Sequence, residues 1–320
     1  MIDRQVIREN EHFRLERIAE GIYAAINTVK GGAMSNAGIV DLGGETLVFD
    51  AFVSRAAARA LRSAAEDLTG RSPRYLVNSH AHGDHVWGNP VFRPEATIVA
   101  TSATIAAMAA EGSAAIDPEE LKAFIERSEE ALAGELDELT RANIEGNLYP
   151  RKWVYEELPV EAELPTVALD STVEIRGDAR AVQIVSYGRA HTGGDLVLAC
   201  PEDRVVFVGD LGFFQDQPPY IAPDGDAAAW ARCLGGLQGI EADAYVPGHG
   251  TVGGEEELTA QRGFLDAVVG AARTVTDNGG TVDDLAERMR DTEYARWEGA
   301  ALYKVSLQSV LQHLGRGSAS

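Results

Sequence analysis

The sequence predicts an α/β or α+β layered domain, and three observations point there. Short apolar strands rich in β-branched residues occur in two groups, one before about residue 102 and one after about residue 163. Amphipathic helical stretches follow the strands in both halves. Several polar residues stand just beyond strand ends, beside glycine. A chain of 320 residues is long enough to bury a sizeable core, and 1–320 reads as one domain.

The elements justify themselves in order. Phe13–Ile18 and Gly21–Ile26 are short and apolar. Ser35–Val40 and Glu45–Phe49 flank Gly43-Gly44, the signature of a hairpin. Ser54–Leu68 carries Ala and Leu at helical spacing. Arg74–Asn78 is a short buried strand running into Ser79-His80-Ala81-His82-Gly83-Asp84-His85. From 102 to 163 helical periods dominate, and Pro118-Glu119-Glu120 reads as a helix's first turn, with proline early and acids at the positive end of the dipole. Val173–Ile175, Ala181–Tyr187, Asp195–Ala199 and Arg204–Val208 are strands. Ala227–Leu237 is a helix and Ala244–Val246 a strand. Glu255–Thr276, Val282–Arg290 and Ala300–Leu314 are helices, and Arg316–Ser320 reads as a frayed end.

Charge and composition exclude several function classes. There are 28 basic and 50 acidic residues, a net charge of −22, and only four lysines. Nucleic acid needs clustered Lys and Arg, and no basic run exists. Cys200 and Cys233 are too few for a disulfide framework or a cysteine metal site, and both sit in apolar surroundings. No apolar run approaches the ~20 residues that span a bilayer. The charged N-terminal stretch lacks a signal-peptide core, so a cytoplasmic location is expected. Residues 111–163 hold 15 acids and 5 bases, a local net charge of −10. They read first as a solvated helical face and second as an insertion over the mouth of a site.

The chemistry concentrates in histidine. Of seven, five fall in three places: His80, His82 and His85; His191; and His249. In extended chain, residues two apart share a side, so His80, His82 and Asp84 converge if the strand continues, and His85 points to a second centre. Three imidazoles and a carboxylate in six residues suit zinc, with iron or manganese as alternatives. His191 lies in Gly188-Arg189-Ala190-His191-Thr192-Gly193-Gly194. Asp210 follows an apolar strand through Gly209, and His249 stands in Pro247-Gly248-His249-Gly250. Each follows a buried strand, where active-site loops commonly gather.

In this order and context the residues His80–His85, His191, Asp210 and His249 resemble the metallo-β-lactamase superfamily over roughly residues 18–255. The resemblance implies a four-layer αββα metallo-β-lactamase sandwich, with a helical insertion at 102–163 and a C-terminal helical element at 255–314. It implies two Zn²⁺, the first on His80, His82 and His191, the second on Asp84, His85 and His249, with Asp210 bridging them. Two such ions about 3.5–4 Å apart generate hydroxide near neutral pH. That hydroxide would attack a carbonyl, with Asp84 orienting it or taking its proton.

Asp210 at the bridging position resembles the glyoxalase-II and lactonase branch, whereas true β-lactamases of the superfamily usually carry Cys or Ser there. Hydrolysis of an ester, thioester or lactone is the leading expectation. β-Lactamase-type amide hydrolysis, a single-iron persulfide dioxygenase and a non-catalytic binding protein are the alternatives. The expected partner is a small-molecule substrate, not nucleic acid or membrane, and residues 102–163 and 280–314 could shape the pocket or a homodimer contact. For substrate contact the sequence offers Asn36, Trp87, Phe213, Phe214 and Tyr220, with core packing as the alternative for each aromatic. The Tyr220 hydroxyl can donate to an oxyanion.

Overall fold

The computed structural model describes residues 4–112, 117–160, 162–215, 218–297 and 302–317. Eight strands form one sheet in sequential order: β1 (Gln5–Glu9), β2 (Phe13–Ala19), β3 (Ile22–Asn27), β4 (Ala37–Asp41), β5 (Thr46–Phe49), β6 (Tyr75–Val77), β7 (Thr97–Ala100) and β8 (Val167–Ala168). The strands from β1 to β5 pair antiparallel, and those from β5 to β8 pair parallel. The second sheet has the order β13-β12-β11-β10-β9, from β9 (Val173–Arg176), β10 (Ala181–Gly188), β11 (Asp195–Cys200), β12 (Val205–Phe213) and β13 (Ala244–His249).

The described helices are α1 (Arg55–Thr69), α2 (Gly83–Val86), α3 (Ser102–Gly112), α4 (Pro118–Leu132), α5 (Glu138–Glu156), α6 (Ala227–Leu237), α7 (Glu255–Asp277), α8 (Val282–Arg290) and α9 (Tyr303–Gly317). Ser54 caps α1 by accepting from Ala57 N at 3.1 Å, and Gly70 ends it in the left-handed region.

The layers follow from alternation along the strands. Val40, Leu47 and Phe49 point inward against Leu196, Leu198, Phe207 and Val246 of the other sheet. Their neighbours Ile39 and Val48 point outward, onto Ala57, Leu61 and Ala65 of α1. The outer face of the second sheet, through Val197, Val206 and Val208, packs on Trp230, Leu234, Phe264, Val268 and Leu307. The result is an αββα sandwich, as expected. With both faces covered, central strands such as β5 and β11 are buried throughout. Cys200 and Cys233 are free and buried in these cores.

The structure adds to and corrects the sequence reading. Strands β1, β7 and β8 carry too little pattern to be predicted: β1 is an exposed edge strand, β7 has four residues and β8 has two. Strand β12 continues beyond Val208 to Phe213, so Asp210 lies within the strand rather than after it. A bulge at Gly209 (φ +52°) lets pairing to β13 resume at Phe213↔His249. The stretch 102–163 is helical in α3, α4 and α5, and α4 packs on α5. The expected start of the last helix at Ala300 and residues 318–320 of the expected frayed end lie outside the described residues, whereas Arg316 and Gly317 continue α9 rather than fray.

Candidate metal centre

The site is built where the ends of β5, β6, β12 and β13 meet the loop joining β10 to β11. Strand β6 delivers Ser79 and His80. Ser79 donates from its backbone N and its Oγ to Asp50, at 2.7 and 2.8 Å, and its Oγ meets His80 Nδ1 at 2.9 Å. Because the Ser79 hydroxyl hydrogen goes to Asp50, His80 Nδ1–H is the donor to Ser79, and His80 Nε2 keeps its lone pair. Asp50 also accepts from His85 Nδ1 at 2.8 Å, which frees His85 Nε2 in the same way.

The chain then leaves the extended conformation. Residues 83–86 form one helical turn with His82 as its N-cap. This overturns the expectation that Asp84 joins His80 and His82 along a continued strand. The turn carries Asp84 to the other side, where its Oδ2 lies 3.5 Å from His85 Nε2 and 3.3 Å from His249 Nε2.

Asp210 stands between two groups of donors. Its Oδ2 is 3.6 Å from His80 Nε2 and 3.3 Å from His191 Nε2, and His191 Nε2 is 3.1 Å from His82 Nδ1. Its Oδ1 is 3.1 Å from His85 Nε2 and 3.4 Å from His249 Nε2. The seven sequence-predicted residues thus come together as His80, His82, His191 and Asp210 beside Asp84, His85 and His249. Two glycines permit the approach. A Cβ on Gly209 would meet Ser79, and one on Gly248 would run into Asp210 Oδ1.

These residues fit divalent ions. Bonds of about 2.0–2.1 Å in a tetrahedron put neighbouring donors about 3.3 Å apart, and the spacings here fall on either side of that value. His80 Nε2, His85 Nε2 and Asp210 Oδ1 are buried without a hydrogen-bond partner, which is costly unless a cation satisfies them. The charge pattern agrees. Burial holds His80 well below its ordinary range and brings His82 down to about 4, so both stay neutral donors. Burial also opposes charge on His249, but the Asp210 and Asp84 carboxylates outweigh it and push the imidazole up to about 9. Burial likewise opposes ionisation of Asp84 and Asp210, yet the neighbouring imidazoles hold both carboxyls far below the usual range. Two ionised carboxylates amid unpartnered imidazole nitrogens attract positive charge.

Asp50 escaped the sequence reading. It is fully buried, adopts φ +63° just after β5, and orients both His85 and, through Ser79, His80. The signal was present: an aspartate closing the apolar strand Leu47-Val48-Phe49 has no solvent to face. Asp195 was placed in a strand, but its role was missed. Its carboxylate, raised to about 6 by burial, accepts from Ala190 N, Thr192 N and Thr192 Oγ1 and so shapes the His191 turn.

The expected substrate contacts divide. Tyr220 is half-buried with its ring 5.8 Å from His82, and burial raises its phenol, so the O–H is kept at neutral pH. Phe213 stacks on His249 at 4.9 Å and 17°. Phe214 is instead a core residue, 1 % exposed. Trp87 is half-buried against Ala81, Val86 and Met108. Asn36 has no group to spare for substrate: its Nδ2 donates to Pro247 O and Gly250 O, and its Oδ1 accepts from Asn27 N. It braces the His249 loop.

Comparisons with known proteins agree with this geometry. Among solved structures the fold is similar to the stereoselective inverting sec-alkylsulfatase Pisa1 from Pseudomonas sp., at 15% identity and TM-score 0.66, over 93% of this chain and 50% of that one. It is also similar to the metallo-beta-lactamase FIM-1 from Pseudomonas aeruginosa in its mono-zinc form, at 16% identity and TM-score 0.57, over 81% of this chain and 97% of that one. In sequence it is 24% identical over 246 residues to the 2,4-dinitroanisole O-demethylase subunit alpha of Nocardioides sp. (strain JS1661), covering 75% of this chain and 60% of that protein. The chain thus spans only part of the length of that relative and of the alkylsulfatase. The family model described as the metallo-beta-lactamase superfamily matches residues 31–249, a stretch that includes every one of the seven converging side chains, and the chain belongs to that superfamily.

Proposed function

We propose that the protein is a dinuclear, zinc-dependent hydrolase that opens the carbonyl centre of an ester, thioester or lactone. One observation carries the reading: the two oxygens of Asp210 face different groups, Oδ2 toward His80 and His191 and Oδ1 toward His85 and His249. His80, His82 and His191 would hold one ion, Asp84, His85 and His249 the other, and Asp210 both. Bound ions supply Lewis acidity and bring the pKa of water toward neutrality. Asp84, next to both His85 and His249, orients the attacking water and accepts its proton. Tyr220, beside His82, donates its phenolic hydrogen to the developing oxyanion. Phe213 against His249 shields one wall of the site from bulk water.

A second reading, cleavage of an aryl ether or a sulfate ester, is favoured by two findings. The sec-alkylsulfatase fold covers 93% of this chain against 81% for the β-lactamase, and the sequence relative is an O-demethylase subunit. Metal analysis alongside a panel of thioesters, lactones, aryl esters, β-lactams, aryl methyl ethers and alkyl sulfates tests both. About two equivalents of zinc with turnover of the carbonyl substrates is the expected result. Turnover confined to ethers or sulfates selects the second reading. One equivalent of iron with oxygen consumption on a persulfide overturns both. Among the described residues no helix is long and apolar enough to cross a membrane.

A further inference from the structure

Helices α4 and α5 lie in the acidic segment, and their lysines behave accordingly: Lys122 pairs with Glu126 and Lys152 with Glu129, at 4.0 and 2.7 Å on the surface. Arg151, next to Lys152 in α5, does not. Its Nη1 donates to the backbone O of Asn147 at 3.0 Å and to its Oδ1 at 2.8 Å. Its guanidinium lies 4.9 Å from the centre of the Phe124 ring of α4. Among the described residues no carboxylate comes within ion-pair distance of it, and its Nε and Nη2 have no protein acceptor. A partly desolvated cation amid so many acids, yet paired with none, requires an explanation.

Its place in the fold supplies one. Trp153, two residues on, donates from Nε1 to Lys30 O at 3.3 Å and sets its ring edge-on to His12, so α5 docks on the loop of residues 28–36. That loop touches the candidate metal centre: Ser35 Oγ donates to Asp84 O, and Asn36 donates to Pro247 O and Gly250 O on either side of His249. The carboxylate whose charge Arg151 senses is that of Asp84. Helix α5 therefore borders the Asp84 side of the site, and Arg151 on it is tied to Asn147 and lies against the Phe124 ring.

We propose that Arg151 is a specificity-determining residue that binds an anionic group, a carboxylate or a sulfate, carried by the substrate away from the bond that is cleaved. This rests on the hydrolase reading above. A guanidinium with Nη1 tied back presents Nε and Nη2 as a fork that matches two oxygens of an oxyanion. A contact to an unreacting part of the substrate holds ground and transition states alike, so it acts on KM rather than kcat.

The test compares an aryl monoester of glutaric acid with the aryl pentanoate, which has the same reacting centre and a similar chain but no charge. R151Q is expected to raise KM for the anionic ester by about 10- to 100-fold, with kcat and the neutral ester nearly unchanged. R151K is expected to recover part of the loss, and Lys152→Ala to change nothing. Metal content equal to wild type shows that R151Q folds. In parallel, calorimetry on the metal-loaded protein with glutarate and with pentyl sulfate reads binding directly. The tighter of the two identifies the anion, and R151Q is expected to weaken it by a similar factor. An equal loss on both esters with anion binding unchanged overturns the proposal and leaves Arg151 as a support for Asp84. An R151Q indistinguishable from wild type overturns it too. If wild type cleaves neither ester, the carbonyl-hydrolase reading fails by itself, and the calorimetry decides the anion site: weakened binding in R151Q upholds it, unchanged binding overturns it.

Discussion

In the sandwich, buried charge is matched group by group: Asp50 with His85 and Ser79, Asp210 with four imidazoles, Asp84 with His85 and His249. In the α4–α5 helices charge is carried at the surface in solvated pairs such as Lys152–Glu129, while Arg151 is tied back to Asn147 with no carboxylate partner among the described residues. The first arrangement needs a rigid frame, because unpaired buried charge is expensive. The second tolerates change, because water screens it. The difference separates a rigid part that gathers the candidate metal ligands from a part whose charges face water.

The largest effect should come from the frame. Phe207 lies between the sheets against Phe49, and the ring fills the space that Gly38 leaves. Phe207→Ala should lower stability by about 3–5 kcal/mol in denaturant titrations. A loss under about 1 kcal/mol would mean that the sandwich is not the rigid partner in this contrast. Asp210→Ala comes next. It should remove bound metal and cut turnover by more than about 100-fold, beyond what outer partners usually supply, while circular dichroism stays native. Two retained metals at wild-type rate would dissolve the link between matched charge and chemistry. Asp50→Asn keeps the shape but weakens the hold on His85 and Ser79. A fall of about 10- to 100-fold in metal affinity or activity is expected, measured by competition with a chelator. Smallest is Lys152→Ala, with stability changed by less than ~1 kcal/mol and rates untouched. A large effect there would show that the surface pairs of α4 and α5 are structural after all.

Much of this was legible beforehand. The hairpin at Gly43-Gly44 and helices such as α6 and α8 follow from local turn and period signals. The seven chemistry-bearing residues stood out because histidine is scarce and theirs follow strands. The grouping of Asp84 was misread from geometry because a strand's alternation was extended across Gly83, where the backbone turns helical. Phe214 and Asn36 were offered as contacts because sequence proximity to the site does not reveal which way a side chain is committed.

What the sequence determined by itself was therefore the set of layers and the inventory of donors, since both are written in spacing that the chain carries locally. Which donors come together and which carboxylate orients them were decided by tertiary structure. Asp50 meets His85 only because β5 and β6 lie parallel and end together, and Ser79 comes up against β12 only in the space that Gly209 leaves. Such approaches depend on packing between segments far apart in the chain, and no local period encodes them.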